Sequence, residues 1–194
     1  MIALVDVNNF YVSCERLFNP RLNHKPVVVL SNNDGCIISR SNEAKSLGIK
    51  MGEPLFKAAS IIKKHNVMVL SSNYPLYADI SHRVMQLLST FTDQQEIYSI
   101  DESFLSMKGQ SHLLDKGSLI RKSLYQWLGM PVCVGIGPTK VLAKFSNHCA
   151  KKQSVWEGVF VSSSLSNQAL NKVMSRVSVD EIWGIGRRLA EKLK

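Results

Sequence analysis

The sequence has few cysteines, few prolines and no long apolar run. Its cysteines are Cys14, Cys36, Cys133 and Cys149. None forms a Cys-x-x-Cys pair, which argues against a structural zinc site or a disulfide framework and favours a reducing cytoplasm. No run of about 18 apolar residues is present, and no basic segment followed by a long apolar stretch opens the chain. We therefore expect a cytoplasmic protein with neither a membrane span nor a secretory signal.

Acidic residues are scarce relative to basic ones. The 194 residues include 24 Lys and Arg but only 15 Asp and Glu, which gives a formal net charge of +9. This balance is typical of a protein that binds a polyanion such as nucleic acid, although a solvated basic surface has the same composition. The hydrophobic fraction of 45% allows one good core or two modest ones.

Three of the few acidic residues stand beside short apolar runs. Asp6 closes the run 2–5, which predicts a buried strand, and Asp101 and Glu102 are adjacent within a predicted hairpin at 96–107. Crowded carboxylates repel one another unless a cation neutralises them. Mg²⁺ prefers hard oxygen ligands, so these three residues predict a site for two metal ions that serves phosphoryl transfer.

The acid pair and Asp6 each have a simpler interpretation. Neighbours in a regular strand point to opposite faces, so Asp101 and Glu102 converge only if a turn or bulge separates them. The alternative is an exposed hairpin tip with solvated acids. Asp6 could instead cap the following helix, although Asn8 and Asn9 can supply that cap. The apolar residues that flank the acid pair favour the metal site.

Strands and helices interleave through residue 161, which predicts an α+β (mixed α/β) fold with a mixed sheet and helices on one face. Residues 21–75 are predicted to be a small insertion, and the tail from 162 onward a separate helical unit. The predicted strands are 2–5, 26–30, 36–38, 67–70, the hairpin 96–107, and 132–136. The predicted helices are 8–18, 41–45, one from Pro54, 75–91, 112–127 and 138–151.

The predicted helix 138–151 carries a basic stripe. Lys140, Lys144, His148 and Lys151 recur at three- and four-residue steps and therefore share one side of the helix. A stripe of this kind suits contacts with the phosphates of DNA or of a nucleoside triphosphate. A solvated face is the alternative.

The segment behind the first strand is a candidate nucleotide site. The N–H groups of the first helical turn favour phosphate, and Tyr11 is placed to lie under the sugar and block a ribose 2′-OH, with Phe10 beside it. Both rings could instead serve only packing. Lys45, with Ser39 and Arg40 nearby, could contact a triphosphate.

The tail contains a glycine pair followed by two arginines. Ser178 and Glu181 predict a capping box, and Gly-Ile-Gly predicts a tight helix-hairpin-helix joint whose N–H groups hold a DNA phosphate. A plain connection between helices is the alternative. The residues expected to contact DNA are Lys140, Lys144, Gly184, Gly186, Arg187 and Arg188.

Four motifs in this order resemble the Y-family of translesion DNA polymerases, and two further segments resemble its UmuC branch. The four motifs are residues 6–11, 99–103, 135–144 and 184–186, and the two segments are 31–36 and 71–74. The resemblance covers essentially the whole chain. It implies a palm sheet of ferredoxin-like type (1–20 and 76–162), a small α/β fingers insertion (21–75) and a partial thumb (163–194).

The resemblance also implies roles for individual residues. Tyr11 would be the steric gate against ribonucleotides, and Asn42 stands where many family members carry a phosphate-binding Tyr. The implied metal ligands for two Mg²⁺ ions, also the catalytic residues, are Asp6, Asp101 and Glu102, with the Val7 carbonyl. The implied nucleotide contacts are Phe10, Tyr11, Ile37, Ile38, Ser39, Lys45 and Lys151.

The implied function is error-prone DNA synthesis past damaged template, with primer-template DNA and dNTPs as substrates. A processed UmuD-type dimer and RecA are the implied partners, in a nucleoid-associated location. We expect the chain to be truncated within the thumb. Two alternatives stay open, a non-catalytic polymerase fragment that binds DNA or partner subunits and a cyclase-like nucleotidyl transferase.

Overall fold

The computed structural model describes residues 1–193. Its strands are β1 (Ile2–Val7), β2 (Val27–Leu30), β3 (Ile37–Arg40), β4 (Met68–Ser71), β5 (Gln95–Ile97), β6 (Glu102–Ser106), β7 (Val132–Gly137) and β8 (Val159–Val161). Its α-helices are α1 (Phe10–Phe18), α2 (Asn42–Ser46), α3 (Leu55–His65), α4 (Tyr74–Ser89), α5 (Leu113–Leu128), α6 (Lys140–Lys152), α7 (Asn167–Met174) and α8 (Arg187–Leu193). The predicted strands and helices are all present, with ends shifted by a few residues.

The chain divides into two compact units. The first contains residues 1–6, 85–128 and the chain from Val132 onward, and the second contains residues 7–84 and 129–131. The first unit therefore holds most of the larger sheet, and the second holds the smaller one.

The larger sheet has five strands in the order β5-β6-β1-β7-β8. β6 runs antiparallel to both β1 and β5, whereas β7 and β8 are parallel. β1 and β7 are buried along almost their whole length. The predicted mixed sheet in an α+β fold is confirmed.

α5 and α6 cover opposite faces of this sheet. A Cβ added to Gly117 of α5 would meet the side chains of Val159 and Val134, whereas one added to Gly135 would meet the backbone of α6 at Asn147. Because successive strand residues point to opposite faces, Val134 and Gly135 assign the two helices to different sides. The expectation that the helices cover one face is therefore corrected.

The tail of the chain packs within the first unit. Phe145 and Cys149 of α6 form a core with Phe160, and Leu170 and Val173 of α7 pack against it. The apolar side of α7 thus packs, half-buried, against the core formed by α6 and β8, where the sequence predicts a separate helical unit.

The second unit has a three-stranded sheet in the order β3-β2-β4. β2 is antiparallel to β3 and parallel to β4. The core beside this sheet includes Val28, Ile37, Ala44, Ile49, Ala58 and Val67. The strands and helices of the insertion therefore share a small hydrophobic core of their own.

The long helix α4, predicted at 75–91, buries apolar side chains at helical spacing and two further large ones. Ile80, Val84 and Leu88 are buried as the spacing predicts, and so are Tyr77 and Met85. The Tyr77 hydroxyl donates to Glu15 Oε1 at 2.7 Å, which satisfies the polar end of a ring that is otherwise fully enclosed. Among residues 1–193, no helix is long and apolar enough to cross a membrane.

We predict that Gly135→Ala destabilises the chain strongly. The added Cβ would lie 2.0 Å from the Asn147 backbone nitrogen, so α6 must move away from β7, at a cost of at least about 2 kcal/mol. Gly186→Ala is the matched control, because a Cβ there meets open space. Chemical denaturation measures both variants, and equal midpoints would contradict the close approach of helix and strand.

Candidate functional site

The three predicted metal ligands all lie in the first unit. Asp6 is opposite Glu102 in the antiparallel register of β1 and β6, and Asp101 immediately precedes β6. Asp6 is only 8% exposed. Val7, the fourth predicted ligand, is the buried last residue of β1. The strand ends thus bring together acids that are about a hundred residues apart in sequence.

A tight turn separates Asp101 from Glu102, which is the condition for both carboxylates to point toward one site. The backbone N–H groups of Tyr98 and Ser99 both donate to the Glu102 carbonyl, at 3.0 and 3.1 Å. The Ser99 hydroxyl donates to Asp101 Oδ1 at 2.7 Å. Asp101 therefore belongs to the turn and Glu102 to the strand, which removes the strict alternation of side chains that would direct them to opposite faces.

The acids interact through space. Burial raises the pKa of the Asp6 carboxyl to about 7, Lys151 opposes the rise, and the charges of Asp101 and Glu102 add to it. Burial also raises the pKa of Asp101, which the Ser99 hydrogen bond opposes and the charge of Glu102 reinforces. Mutual repulsion of this kind is expected when carboxylates share a small volume.

Two lysines of α6 neutralise two of these acids. Lys151 Nζ lies 2.5 Å from Asp6 Oδ1, and Lys144 Nζ lies 3.0 Å from both Glu102 oxygens. Within the described part of the chain, no three Asp, Glu, His or Cys side chains already form a metal-binding cluster. The donor set is nevertheless one of hard oxygens with unfavourable mutual repulsion, which fits Mg²⁺, and the ammonium groups balance its charge.

The basic stripe of α6 is a row of ion pairs. Besides the pairs of Lys144 and Lys151, Lys140 Nζ lies 2.5 Å from Glu96 Oε2 and His148 Nδ1 lies 3.1 Å from Glu181 Oε2. Burial lowers the pKa of His148, and the carboxylate of Glu181 opposes that shift. The stripe is thus directed at acidic partners in its own unit, and the side chains of Lys140 and Lys151 are also 39% and 35% exposed to solvent.

A cavity adjoins the acids. It has a volume of about 350 Å³, and its lining includes Asp6, Glu102, Lys144, Lys151, His148 and Trp183. The tail residues 180–183 form another part of the lining. A polar space of this size can admit charged groups of a ligand beside the carboxylates.

The predicted capping box at Ser178 is wrong. Its hydroxyl donates to Asp180 Oδ1 at 2.5 Å, and the Glu181 carboxylate pairs with His148. Residues Val179–Glu181 form a 3₁₀ turn with no side-chain cap. The Glu181 carboxylate is therefore engaged by a tertiary partner and not by the local backbone.

The glycine and arginine residues that were predicted to contact DNA lie at the start of α8. Gly184 has a φ of 90°, a conformation that favours glycine, and the Gly186 carbonyl accepts from Ala190 N at 2.9 Å. Both glycines, Arg187 and Arg188 are exposed. Their contact with DNA stays a prediction.

In the second unit, Tyr11 belongs to an aromatic cluster. Its ring stacks on that of Tyr77 at a centroid distance of 4.3 Å and 15° between planes. Tyr74 and Phe10 also lie within 6.5 Å of these rings. Phe10 is buried and Tyr11 only half-buried, so packing accounts for Phe10 and leaves Tyr11 with an accessible edge.

β3 presents its predicted nucleotide residues to two sides. Ile37 is 0% exposed and lies in the core of the second unit, so the prediction that it contacts an incoming base is corrected. Ser39 is buried as well and accepts from Val12 N at 3.4 Å. Ile38 is half-buried and stays a candidate contact. The alternation of buried and half-buried residues follows from strand geometry.

Lys45 belongs to α2, and its ammonium reaches the start of α1. Its ammonium donates to Asn9 Oδ1 at 2.5 Å, and Asn9 Nδ2 donates to Asn42 Oδ1 at 3.1 Å. Asn9 adopts a left-handed conformation and makes no side-chain cap, so the predicted local cap is wrong. The side chain of Asp6 makes an ion pair with Lys151.

Sequence reasoning missed the rings around Lys144. Lys144 Nζ lies 4.4 Å from the Tyr98 ring centroid and 5.4 Å from that of Trp183. Tyr98 begins the acid turn, and Trp183 precedes the glycine pair. An aromatic residue beside each of two motifs was the available signal, but nothing in the sequence indicates that the motifs meet.

The chain belongs to the impB/mucB/samB family, whose family model matches residues 5–148. It is 47% identical over 197 residues to the protein UmuC of Salmonella typhimurium, and the aligned region covers 100% of this chain and 46% of that protein. It is 31% identical over 202 residues to DNA polymerase IV 1 of Bacillus subtilis, and the aligned region covers 100% of this chain and 46% of that protein. The chain thus spans about half the length of the curated relatives it matches.

A solved structure shares the fold. The insertion ternary complex of Dbh DNA polymerase superimposes with a TM-score of 0.84 at 29% identity, over 100% of this chain and 57% of that one. The predicted resemblance to Y-family polymerases of the UmuC branch is confirmed, as is the predicted palm and fingers fold class.

We predict that Asp6→Asn stabilises the metal-free chain at pH 8 and has little effect at pH 4. The pKa of Asp6 is about 7 in the folded chain and about 3.9 when unfolded. The folded state therefore holds the proton more tightly, and the parent loses stability as pH rises from about 4 to 7. Asn avoids this loss, so we expect a gain of up to about 4 kcal/mol at pH 8.

The measurement is chemical denaturation in a chelating buffer at both pH values. Asp79→Asn is the control, because that carboxylate lies on the exposed part of α4, where it pairs with Arg83. A parent and an Asp6→Asn variant with the same stability at both pH values would rule out the buried, proton-binding carboxyl.

Proposed function

We propose that this chain is the catalytic portion of an error-prone translesion DNA polymerase. It would extend a primer 3′-OH on a DNA template by transferring a nucleotide from a dNTP. The observation that supports this most directly is the placement of Asp6 and Glu102 opposite each other on adjacent strands, with Asp101 in the turn that leads into β6. Membership in the family and relatives named as DNA polymerases support the same reaction.

We propose Asp6, Asp101, Glu102 and the Val7 carbonyl as the ligands of two Mg²⁺ ions. When bound, such ions supply charge stabilisation for the attacking and leaving oxygens of a phosphoryl transfer. Asp6 and Asp101 repel each other and both have raised pKa values, so cations at this site would favour their ionised forms. The residues' own contribution is to hold oxygen donors together at the end of the sheet.

Other side chains would then bind the nucleotide and the DNA. Lys45 and Lys151 would meet the triphosphate as point charges, and Ile38 would lie near the base. Tyr11 would stand under the sugar, where its ring leaves no room for a 2′-OH. The proposed DNA contacts are Lys140, Lys144, Gly184, Gly186, Arg187 and Arg188.

We also propose the domain boundaries that the family resemblance implies for this chain. The palm would comprise residues 1–20 and 76–162, the fingers 21–75 and the partial thumb 163–194. A processed UmuD-type dimer and RecA as partners, and a cytoplasmic, nucleoid-associated location, stay predictions from the resemblance. No contact among the described residues supports them.

Asp101→Asn should abolish nucleotide addition, with a loss of at least about a hundredfold. The amide keeps the size and the Ser99 hydrogen-bonding position but removes the charge that an oxygen-bound cation requires. The measurement is single-nucleotide addition to a labelled primer-template with Mg²⁺ at high enzyme concentration. Asp115→Asn, whose side chain is 83% exposed on α5, is the control and should act like the parent.

The same assay tests the competing interpretation. A parent chain that shifts primer-template DNA in a gel but adds no nucleotide would be a non-catalytic DNA-binding fragment, and the polymerase proposal for this chain would fail. If the parent and the Asp101→Asn variant add nucleotides equally well, the proposed metal site would be refuted, whereas the proposed polymerase activity would stand.

Tyr11→Ala should admit ribonucleotides. Removing the ring opens the space that a 2′-OH needs, so we expect ribonucleotide addition to increase at least about tenfold relative to deoxynucleotide addition. Tyr74→Ala is the control, because it removes a ring that lies 6.2 Å from Tyr11 and leaves the Tyr11 ring itself in place. Unchanged discrimination in Tyr11→Ala would assign the ring to packing alone.

A further inference from the structure

Lys144 has an anion on one side and aromatic rings on the other. Its ammonium donates to both Glu102 oxygens at 3.0 Å, and it lies over the rings of Tyr98 and Trp183. An ammonium near a ring face is attracted by the negative face of the ring. The lysine side chain is only 15% exposed, so its position is set by these contacts more than by solvent.

The two rings are themselves held together. Trp183 Nε1 donates to the Tyr98 hydroxyl at 3.3 Å, and the ring planes are at 88° with centroids 5.8 Å apart. The buried ring of Phe104 lies 5.5 Å from Tyr98 and 6.3 Å from Trp183. The pair Tyr98 and Trp183, which we call the ring pair, therefore packs against Phe104 of β6.

Lys151 differs from Lys144 in this respect. Its side chain is 35% exposed, and within residues 1–193 no aromatic ring lies over its ammonium. Two lysines of one helix thus pair with two acids of the same site, but only Lys144 is enclosed from behind. An enclosed ammonium can fix the orientation of its partner, whereas an exposed one can move into solvent.

We propose that Lys144 is a positioning residue for Glu102 and that the ring pair fixes Lys144 for this purpose. The inference rests on the proposed function, because it gives Glu102 an orientation that is useful for holding a divalent cation. A carboxylate with both oxygens bonded to one fixed ammonium has lost most of its rotational freedom before a cation binds. Partners behind a metal ligand commonly act in this way.

The inference makes Trp183 part of the site although it touches no acid. Trp183 belongs to the tail and Tyr98 to the acid turn, so the tail would influence metal affinity through Lys144. The effect must be one of position, because replacing Trp183 by an apolar residue changes no charge. An electrostatic role of Lys144 alone would leave such a variant unaffected.

The test is Mn²⁺ binding to the chain without nucleotide or DNA, measured by electron paramagnetic resonance of the free ion. Lys144→Met should bind Mn²⁺ about tenfold more weakly than the parent, and Trp183→Leu about threefold more weakly. Lys144→Arg should retain most of the affinity, because guanidinium also pairs with a carboxylate and stacks on rings. Tyr98→Phe keeps the ring but removes the hydroxyl that accepts from Trp183, so it should weaken binding by less than Trp183→Leu does.

Trp127→Leu is the matched control, since Trp127 is 73% exposed on α5. Denaturation midpoints establish that each variant is folded. Tighter binding by Lys144→Met would make Lys144 a competing cation and overturn the proposal, as would equal affinities of Trp183→Leu and Trp127→Leu. A parent chain that binds no Mn²⁺ refutes the metal site of the proposed function, which is a different outcome from a parent that binds while all variants bind equally.

Discussion

The burial of like charges at the end of a sheet is the constraint on which the rest of this site depends. Removing a carboxylate from water costs several kcal/mol, and an ammonium about 4 Å away returns about 4 kcal/mol at an effective dielectric constant near 20. Burial therefore outweighs Lys151 at Asp6, whose pKa rises to about 7. The ionised acids therefore depend on the nearby lysines, which offset part of the cost of their burial.

The position of α6 follows from small residues on the adjacent strand. A side chain at Gly135 would overlap the backbone of the helix at Asn147, and Asn147 Nδ2 donates to the carbonyl of Cys133 at 2.8 Å. This close approach sets the helix against β7. Lys144 and Lys151 are seven residues, or about two turns, apart, so both project from the same side toward the acids. The absence of a side chain at Gly135 therefore lets α6 bring the two lysines close enough to offset the charge of the carboxylates.

Local sequence predicted the elements and the acids but not their partners. Asp6 at a strand end and the Asp101–Glu102 turn follow from short-range patterns, and the spacing of Lys140, Lys144, His148 and Lys151 predicted their common face. The acceptors of that face are 33 to 145 residues away in sequence, and periodicity says nothing about such distances. Asn9 failed as a local cap because its side chain pairs with the distant Asn42 and Lys45, whereas the Ser178 hydroxyl donates to Asp180 two residues further on.

Two lysines with the same sequence pattern have different chemistry because of what lies behind each ammonium. Lys144 is enclosed by Tyr98 and Trp183, so its pairing with Glu102 is a fixed feature of the unit. The exposed stem of Lys151 lets its ammonium leave Asp6 for solvent or for another anion. A released Lys151 would be a point charge at the edge of the acid site, which is where the proposed triphosphate contact requires one. The exposure of Lys151 leaves room for the triphosphate contact that the family resemblance implies, and that contact stays a prediction.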